Sequence, residues 1–169
     1  MNSIRLVLAV TLALCVSAPI VRAAPPDAGP ATNAELESLL SAIRANRKAV
    51  IAVNLGLTDD EAAKFWPVYE RYQKEMNAVG DRQLAVIADY TASFPNLQDD
   101  KAMKLIEDYL TVEADRVAVR RTYLKDFSAS LPGRKVARFY QIENKIDAVL
   151  RYELAARIPV VGEGGAPPK

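Results

Sequence analysis

Apolar side chains recur along two long stretches of the chain in alternating steps of four and three residues. The first series contains Phe65, Tyr69, Tyr72, Met76, Val79, Gln83, Val86 and Tyr90. The second contains Leu105, Tyr109, Val112, Arg116, Val119 and Tyr123. Such spacing keeps one face of a helix against a partner helix. Because only a short turn, Ser93-Phe94-Pro95-Asn96, separates the two stretches, the sequence predicts a long antiparallel helical hairpin over residues 57–127, with Arg116 near Val79 and Gln83.

The segments on either side of the hairpin each predict one further helix. Thr32 or Asn33 is expected to cap a first helix that ends at Gly56, since glycine readily takes the left-handed conformation of a helix end. Its apolar side is predicted to contain Leu36, Leu39, Leu40, Ile43, Val50, Ile51 and Val53, with Arg44, Arg47 and Lys48 on the other side. The last helix, over residues 134–157, has apolar positions at Val136, Phe139, Tyr140, Ile142, Ile146, Val149, Leu150 and Leu154. No segment shows strand alternation, so we expect an all-α fold of four helices around the hairpin.

The start of the hairpin carries a strong helix-capping signal, Leu57-Thr58-Asp59-Asp60-Glu61. The Thr58 hydroxyl can accept a hydrogen bond from the Glu61 backbone N–H, and the Glu61 carboxylate can accept one from the Thr58 N–H. The two aspartates place negative charge at the positive end of the helix dipole. The sequence therefore predicts a capping box at Thr58 and Glu61.

The N-terminus has the features of a secretory signal peptide. An apolar run over residues 6–16 follows Arg5, and Val21-Arg22-Ala23 offers a cleavage site after Ala23. The run is shorter than the roughly 20 residues that a membrane-spanning helix needs. A lipoprotein signal ending at Cys15 is the alternative, but Leu14 is too bulky for that processing. We expect a signal peptide over 1–23, a flexible leader over 24–32, a helical domain over 33–158, a disordered tail over 159–169, and a periplasmic location.

Composition narrows the functions that the exported chain can have. The whole chain carries 22 Lys and Arg against 21 Asp and Glu, and removal of Arg5 and Arg22 with the signal peptide leaves a net charge of −1. That balance does not favour binding to nucleic acid or to an anionic membrane surface, and we expect no stable membrane insertion. The chain has no histidine, and its one cysteine, Cys15, lies in the signal peptide. Without these side chains the common zinc, copper and haem ligand sets and the Ser/His or Cys/His nucleophiles are excluded, so we expect no catalysis, no metal and no cofactor.

Basic and aromatic side chains cluster on the third helix, and we take them as candidate partner-binding residues: Tyr109, Arg116, Arg120, Arg121, Tyr123, Lys125 and Phe127. Two interpretations stay open. Arg116 or Arg120 could form a structural ion pair with Glu143, which falls on the apolar side of the last helix, because an unpaired buried charge is strongly destabilising. Alternatively, the cluster forms a concave face that holds a partner. The tyrosines of the hairpin allow the same two interpretations, packing in the core or exposure on a partner-binding surface.

The chain resembles the Spy/CpxP-like periplasmic proteins, the LTxxQ family, in four features. These are the signal peptide, the absence of cysteine from the mature chain, the four helices around a hairpin, and the Leu-Thr-x-x-Glu helix start at Leu57, Thr58 and Glu61. The glutamate stands where glutamine is usual. The resemblance covers about residues 33–158. It implies a small helical cradle, commonly a homodimer of interlocked hairpins, that acts as an ATP-independent chaperone or as an envelope-stress sensor.

The leading expectation is therefore an exported, non-catalytic, chaperone-like protein that binds exposed hydrophobic segments of unfolded or partner envelope proteins. One alternative is a partner-specific periplasmic sensor or adaptor. Another is a purely structural bundle with no concave apolar patch. Exposure of the hairpin aromatics distinguishes these, because a sealed hairpin has no face left for a client.

Overall fold

The structure, a computed structural model, describes residues 32–156 and 158–161. They form four α-helices, α1 (Asn33–Leu55), α2 (Asp59–Ser93), α3 (Asp99–Ser130) and α4 (Gly133–Ala155), and a 3-10 turn over Phe94–Asn96 joins α2 to α3. This part of the chain contains no strand, and the predicted all-α fold is confirmed. The predicted signal peptide, the leader before Thr32 and the tail from residue 162 onward lie outside the described residues.

Local sequence signals set the helix ends as predicted. The Thr58 hydroxyl accepts from the Glu61 N–H at 3.3 Å, and the Thr58 N–H donates to the Glu61 carboxylate at 2.8 Å. Thr32 forms the same capping box at the start of α1. Gly56 ends α1 at φ 62°, a left-handed conformation that disfavours other residues.

The α2 and α3 helices form the predicted antiparallel hairpin. Side-chain pairs between them run in opposite directions along the two helices: Tyr123 with Glu75, Arg116 with Gln83, Asp115 with Arg82 and Lys101 with Asp89. The Arg116 guanidinium donates to the Gln83 amide oxygen at 2.5 Å, which confirms the register that the two apolar series predict. We call the end at residues 94–98 the tip and the opposite end, near Leu131, the base.

The core is a cluster of aromatic rings between the base and the middle of the hairpin. Its buried rings come from three helices: Phe65, Tyr69 and Tyr72 of α2, Tyr123 and Phe127 of α3, and Phe139 of α4. The Phe127 and Phe139 rings lie 4.5 Å apart, and Phe139 meets Phe65 edge-on at 5.3 Å. Offset and edge-on contacts of this kind stabilise a core beyond the area that the rings bury. The hairpin aromatics are therefore sealed in this half of the molecule.

The α1 and α4 helices lie antiparallel to each other against the hairpin. Expectations about their faces are wrong at several positions: Arg47 is buried, with 8% exposure, whereas Val53 is 83% and Val149 60% exposed. The reason is helical phase, because the buried positions of α1 recur every four residues, at Arg47, Ile51 and Leu55. Val50 is also exposed, and the side chains of Leu36, Leu39, Leu40 and Arg44 lie outside the described part.

Helix length decides where the hairpin is left uncovered. α2 and α3 have 35 and 32 residues, whereas α1 and α4 have 23 each. α4 starts beside the base and ends at Ala155, so the hairpin continues past it by about 15 Å at 1.5 Å per residue. Among residues 32–156 and 158–161, no helix combines the length and the apolar character needed to cross a membrane.

Candidate functional site

An apolar groove lies where the hairpin extends past the end of α4, and we call it the tip groove. Its volume is about 490 Å³. The apolar and aromatic side chains that line it come from both arms of the hairpin and from the C-terminal end of α4: Val86, Ile87, Tyr90, Leu97, Leu105, Ile106, Tyr109, Leu154, Ile158 and Val161. Gln83 and Arg151 contribute its polar groups. A concave, mostly apolar lining with few polar groups is typical of a binding site.

The segment after α4 runs along the tip groove. The Tyr90 hydroxyl donates to the Pro159 carbonyl at 2.7 Å, and Ile158 packs against the small cluster of Ile87, Leu150 and Leu154. Pro159, the first residue of the predicted tail over 159–169, is thus tied to the hairpin, as is Ile158 before it. Val160 and Val161 remain exposed, at 85% and 57%. The tip groove is therefore bordered by this apolar segment as well as by helices, and part of its apolar surface stays in contact with water.

A second apolar surface runs along the outer side of α3. Met103, Leu110, Val117 and Leu124 are spaced seven residues apart, and each is about half exposed or more. At 100° per residue they lie within about 60° of one another and about 130° away from the series that packs on α2. We call these four residues the α3 row. Scattered exposed apolar residues are ordinary on a protein surface, whereas a contiguous row indicates a contact surface.

The seven predicted partner-binding residues do not share one surface. Tyr123 and Phe127 are buried, at 6% and 0% exposure, and Arg116 is buried at 6% beside Gln83. Tyr109 is 41% exposed and borders the tip groove. Arg120 is half-buried and pairs with Asp147, whereas Arg121 and Lys125 are exposed. The seven residues share one helix but lie at different angles around its axis, so some face the core and others face solvent.

The interior holds an ion-pair network that joins three helices. The Arg47 guanidinium of α1 donates to Glu143 at 2.9 Å and to Asp147 at 2.6 Å, both on α4. The Arg120 guanidinium of α3 binds the other oxygen of Asp147. The predicted structural ion pair at Glu143 is present, but the predicted partner is wrong. The pair is formed with Arg47 rather than with Arg116 or Arg120.

Burial dominates the electrostatics of this network. It raises the pKa of the Glu143 carboxyl above its ordinary value of 4.5, although Arg47, the Tyr72 hydroxyl and Arg120 oppose the rise. The Tyr72 hydroxyl donates to Glu143 at 3.0 Å, and burial beside that carboxylate raises the pKa of Tyr72 as well. The second Glu143 oxygen has no hydrogen-bond partner among the described residues. A buried carboxylate with an unmatched oxygen holds its charge at a cost in stability.

The raised pKa of Glu143 predicts how stability depends on pH. Between pH 4.5 and the raised value, the folded chain binds more protons at Glu143 than the unfolded chain does. This contribution to stability is therefore full below the ordinary pKa and is lost as the pH rises through the folded one. Relative to Glu143→Gln, the natural chain should gain unfolding free energy when the pH is lowered from about 7 to about 5.

Urea unfolding of both proteins at the two pH values measures this difference. Glu70→Gln, which replaces an exposed carboxylate of α2, is the matched control for the exchange of an acid for an amide. The free energy of unfolding of the natural chain, measured relative to that of Glu143→Gln, should rise in acid. If this difference stayed constant or fell between pH 7 and pH 5, the raised pKa of Glu143 would be contradicted.

Sequence reasoning missed Arg47, Asp147 and the tip groove. The two charged residues had a detectable signal, because Arg47 stands four residues from both Ile43 and Ile51, and Asp147 stands four after Glu143 on the buried side of α4. No sequence pattern indicates the tip groove, because the groove depends on where α4 ends relative to the hairpin. In the described part of the chain, no group of three or more His, Cys, Asp or Glu is placed to hold a metal ion.

Together these features define, over residues 32–156 and 158–161, an all-α fold of four helices with an uncovered apolar groove at the tip of its central hairpin. Comparison of the chain with protein-family models, with curated proteins and with solved structures found no match. The resemblance to the Spy/CpxP-like proteins therefore stays a prediction from the sequence.

Proposed function

We propose that the protein is an exported, non-catalytic, Spy/CpxP-like helical protein of the periplasm that holds exposed hydrophobic segments of other envelope proteins without ATP. The observation that carries the proposal is the tip groove. The hairpin is sealed by α1 and α4 near its base, but at its tip apolar side chains of α2, α3 and the C-terminal segment line an open groove. A purely structural bundle needs no such surface.

The chemistry of the groove suits an apolar peptide segment. Aliphatic side chains supply non-directional attraction that does not depend on the exact sequence of the bound segment. Tyr90 and Tyr109 add rings with polar ends, a combination that tolerates different neighbours. Arg151, whose guanidinium donates to Glu113 at 2.6 Å, sets a charged border on one side. A site of this kind binds many short apolar segments weakly rather than one tightly.

The size of the groove also favours a second candidate, a sensor or adaptor that docks one partner. A volume of about 490 Å³ accommodates a few side chains, such as one turn of an amphipathic helix, rather than a long unfolded chain. This candidate predicts saturable binding to one envelope protein and little effect on unrelated unfolded clients.

Suppression of aggregation tests the proposal. A denatured client is diluted into buffer with near-stoichiometric amounts of the protein and followed by light scattering. We expect suppression by the natural chain and its loss in Tyr109→Asp and Val161→Asp, which place a charge in the groove. Val53→Asp is the matched control, because it puts the same charge on an exposed valine of α1 outside the groove.

The outcomes separate the candidates. Equal suppression by the groove variants and the control would place holding activity elsewhere on the molecule. No suppression at any ratio would overturn the chaperone-like proposal, and single-partner binding that the groove variants abolish would then support the sensor or adaptor.

A further inference from the structure

Six exposed side chains lie on the sides of α1 and α4 that face away from the hairpin, and we call them the α1–α4 face: Val53, Arg134, Arg138, Lys145, Val149 and Tyr152. At 100° per residue, the five that belong to α4 lie within about 60° of one another and about 150° from the residues that this helix buries. Val53 lies about 160° from the buried series of α1. Val53, Val149 and Tyr152 are 83%, 60% and 65% exposed. The α1–α4 face therefore combines three cations with three apolar side chains in contact with water.

No carboxylate of these two helices shares the α1–α4 face. The three carboxylates of α4, Glu143, Asp147 and Glu153, are all buried. The α1 helix contains no Asp or Glu over residues 38–55. Burial of the ion-pair network thus removes the acidic groups of α4 from its surface and leaves its cations facing solvent.

A groove between α1 and α4 opens along this face, with a volume of about 660 Å³. Arg138 and Lys145 line it together with the amide side chains of Asn54, Gln141 and Asn144, and no carboxylate of the described residues lines it. The Arg138 Nε donates to the Asn54 backbone carbonyl at 2.6 Å, which holds the guanidinium beside the groove. Guanidinium, ammonium and amide N–H groups all donate to phosphate oxygens, so the groove suits a phosphodiester headgroup.

Charge is divided between the hairpin and the pair of helices that packs on it. The α2 and α3 helices carry seven carboxylates each, against four and six cations. The α1 and α4 helices carry two and three carboxylates, against three and five cations. The near-neutral net charge, which alone does not favour an anionic surface, conceals this division. An anionic surface attracts α1 and α4 and repels the hairpin, so it orients the molecule.

We propose that the α1–α4 face rests on an anionic phospholipid bilayer, as a peripheral contact that does not span it. The three cations of the face attract the lipid phosphate groups over distances within a Debye length. The two valines and Tyr152 enter the interfacial region, where burial of apolar area strengthens the contact and a tyrosine ring is favoured.

The apolar side chains of the face favour a bilayer over an acidic segment of another protein. An acidic segment would neutralise the cations but would leave Val53 and Val149 in water, whereas a bilayer engages both kinds of group. The contact is independent of the proposed function, because no residue of the α1–α4 face lines the tip groove and vesicle binding is measured without a client.

Sedimentation with lipid vesicles tests the contact. The chain from residue 24 onward, which contains all four helices, is used because the apolar run over residues 6–16 would itself enter a bilayer. We expect the protein to sediment with vesicles made of equal parts of phosphatidylglycerol and phosphatidylcholine, and to stay in solution with vesicles of phosphatidylcholine alone. Added salt should weaken the binding. Absence of binding to the anionic vesicles, or equal binding to both kinds, would overturn the proposal.

Charge reversal locates the binding surface. Arg138→Glu/Lys145→Glu should lower the vesicle partition coefficient by about tenfold or more, since each cation near an anionic leaflet contributes a factor of about five. Arg121→Glu/Lys125→Glu makes the same charge change at exposed positions of α3 and should change the coefficient by less than about twofold, because the hairpin lies one helix diameter farther from the bilayer. Circular dichroism verifies that both variants fold. An equal loss in the two variants would show attraction by net charge alone and would refute the face.

Removal of apolar side chains separates a bilayer from an acidic protein partner. Val53→Ser/Val149→Ser keeps the charge and should lower the partition coefficient by about tenfold, whereas Val117→Ser/Leu124→Ser, at half-exposed positions of α3, should leave it unchanged. Soluble poly-glutamate, supplied at the same concentration of charge as the lipid, measures the alternative. If Val53→Ser/Val149→Ser bound vesicles as tightly as the natural chain, or if poly-glutamate bound as tightly as the vesicles, the bilayer contact would be wrong and an acidic protein segment would be indicated.

Discussion

Replacing Arg47 by methionine is expected to lower the free energy of unfolding by about 3–5 kcal/mol, the typical effect of removing one partner from a buried ion pair. Arg47 is 8% exposed, and its guanidinium is the donor to both Glu143 and Asp147. Methionine fills similar space, so the loss measures the uncompensated charge more than a cavity. Asp147 keeps Arg120 as a partner, whereas Glu143 keeps only the Tyr72 hydroxyl as a hydrogen-bond donor among the described residues. Chemical denaturation at neutral pH measures the loss.

Two further variants show whether the buried charge is the cause. Arg47→Met/Glu143→Gln removes the unpaired carboxylate while keeping an acceptor for Tyr72, so it should recover part of the stability that Arg47→Met loses. Lys48→Met, at the neighbouring exposed position where Lys48 meets Glu70 at 2.8 Å, should change stability by less than about 1 kcal/mol. An Arg47→Met protein as stable as Lys48→Met would show that the network contributes little.

Replacing Phe127 by alanine is the second large expected effect, a loss of about 3–5 kcal/mol. Phe127 has 0% exposure, and its ring lies 5.5 Å from Phe65, 5.4 Å from Tyr72 and 4.5 Å from Phe139. Alanine would remove contacts to two neighbouring helices, α2 and α4, and leave a cavity that the surrounding side chains fill only partly. Thermal or urea unfolding followed by circular dichroism measures the loss.

Tyr109→Ala is the matched control, because Tyr109 is an aromatic residue of the same helix with 41% exposure. Its removal should lower stability by less than about 1 kcal/mol and, under the proposed function, should weaken client holding. The sequence placed Phe127 and Tyr109 together as partner-binding candidates. A Phe127→Ala protein of nearly unchanged stability that no longer holds clients would restore Phe127 to that role and would contradict its place in the core.

Exposure of the hairpin aromatics bears directly on what the molecule does. Phe65, Tyr69 and Phe127 are sealed in the core, while Tyr90 and Tyr109 border the tip groove. The part of the hairpin beneath α1 and α4 is therefore closed by their packing, and the shorter part beyond α4 offers the apolar surface of the tip groove.

The sequence alone determined the helices, their caps and the register of the hairpin. The capping box of Thr58 and Glu61 starts α2, and Gly56 ends α1. These helix ends depend on backbone groups only a few positions away, so the local sequence is enough to predict them. The contact of Arg116 with Gln83 followed from two periodic series joined by a short turn. Periodicity also placed Glu143 on the buried side of its helix.

Only the tertiary structure decided which charged residues are inside and where apolar surface is left open. The charge of Arg47 predicts a solvent-facing position, but Arg47 lies four residues from Ile51 on the buried side of α1. Its carboxylate partners lie about a hundred positions away on α4. Phe127 and Tyr109 look alike in sequence, but one faces α4 and the other lies near the end of it. The groove exists because α4 stops at Ala155 while the hairpin continues. Such features arise from how separate helices are rotated and offset against one another, which the periodicity of any single helix does not encode.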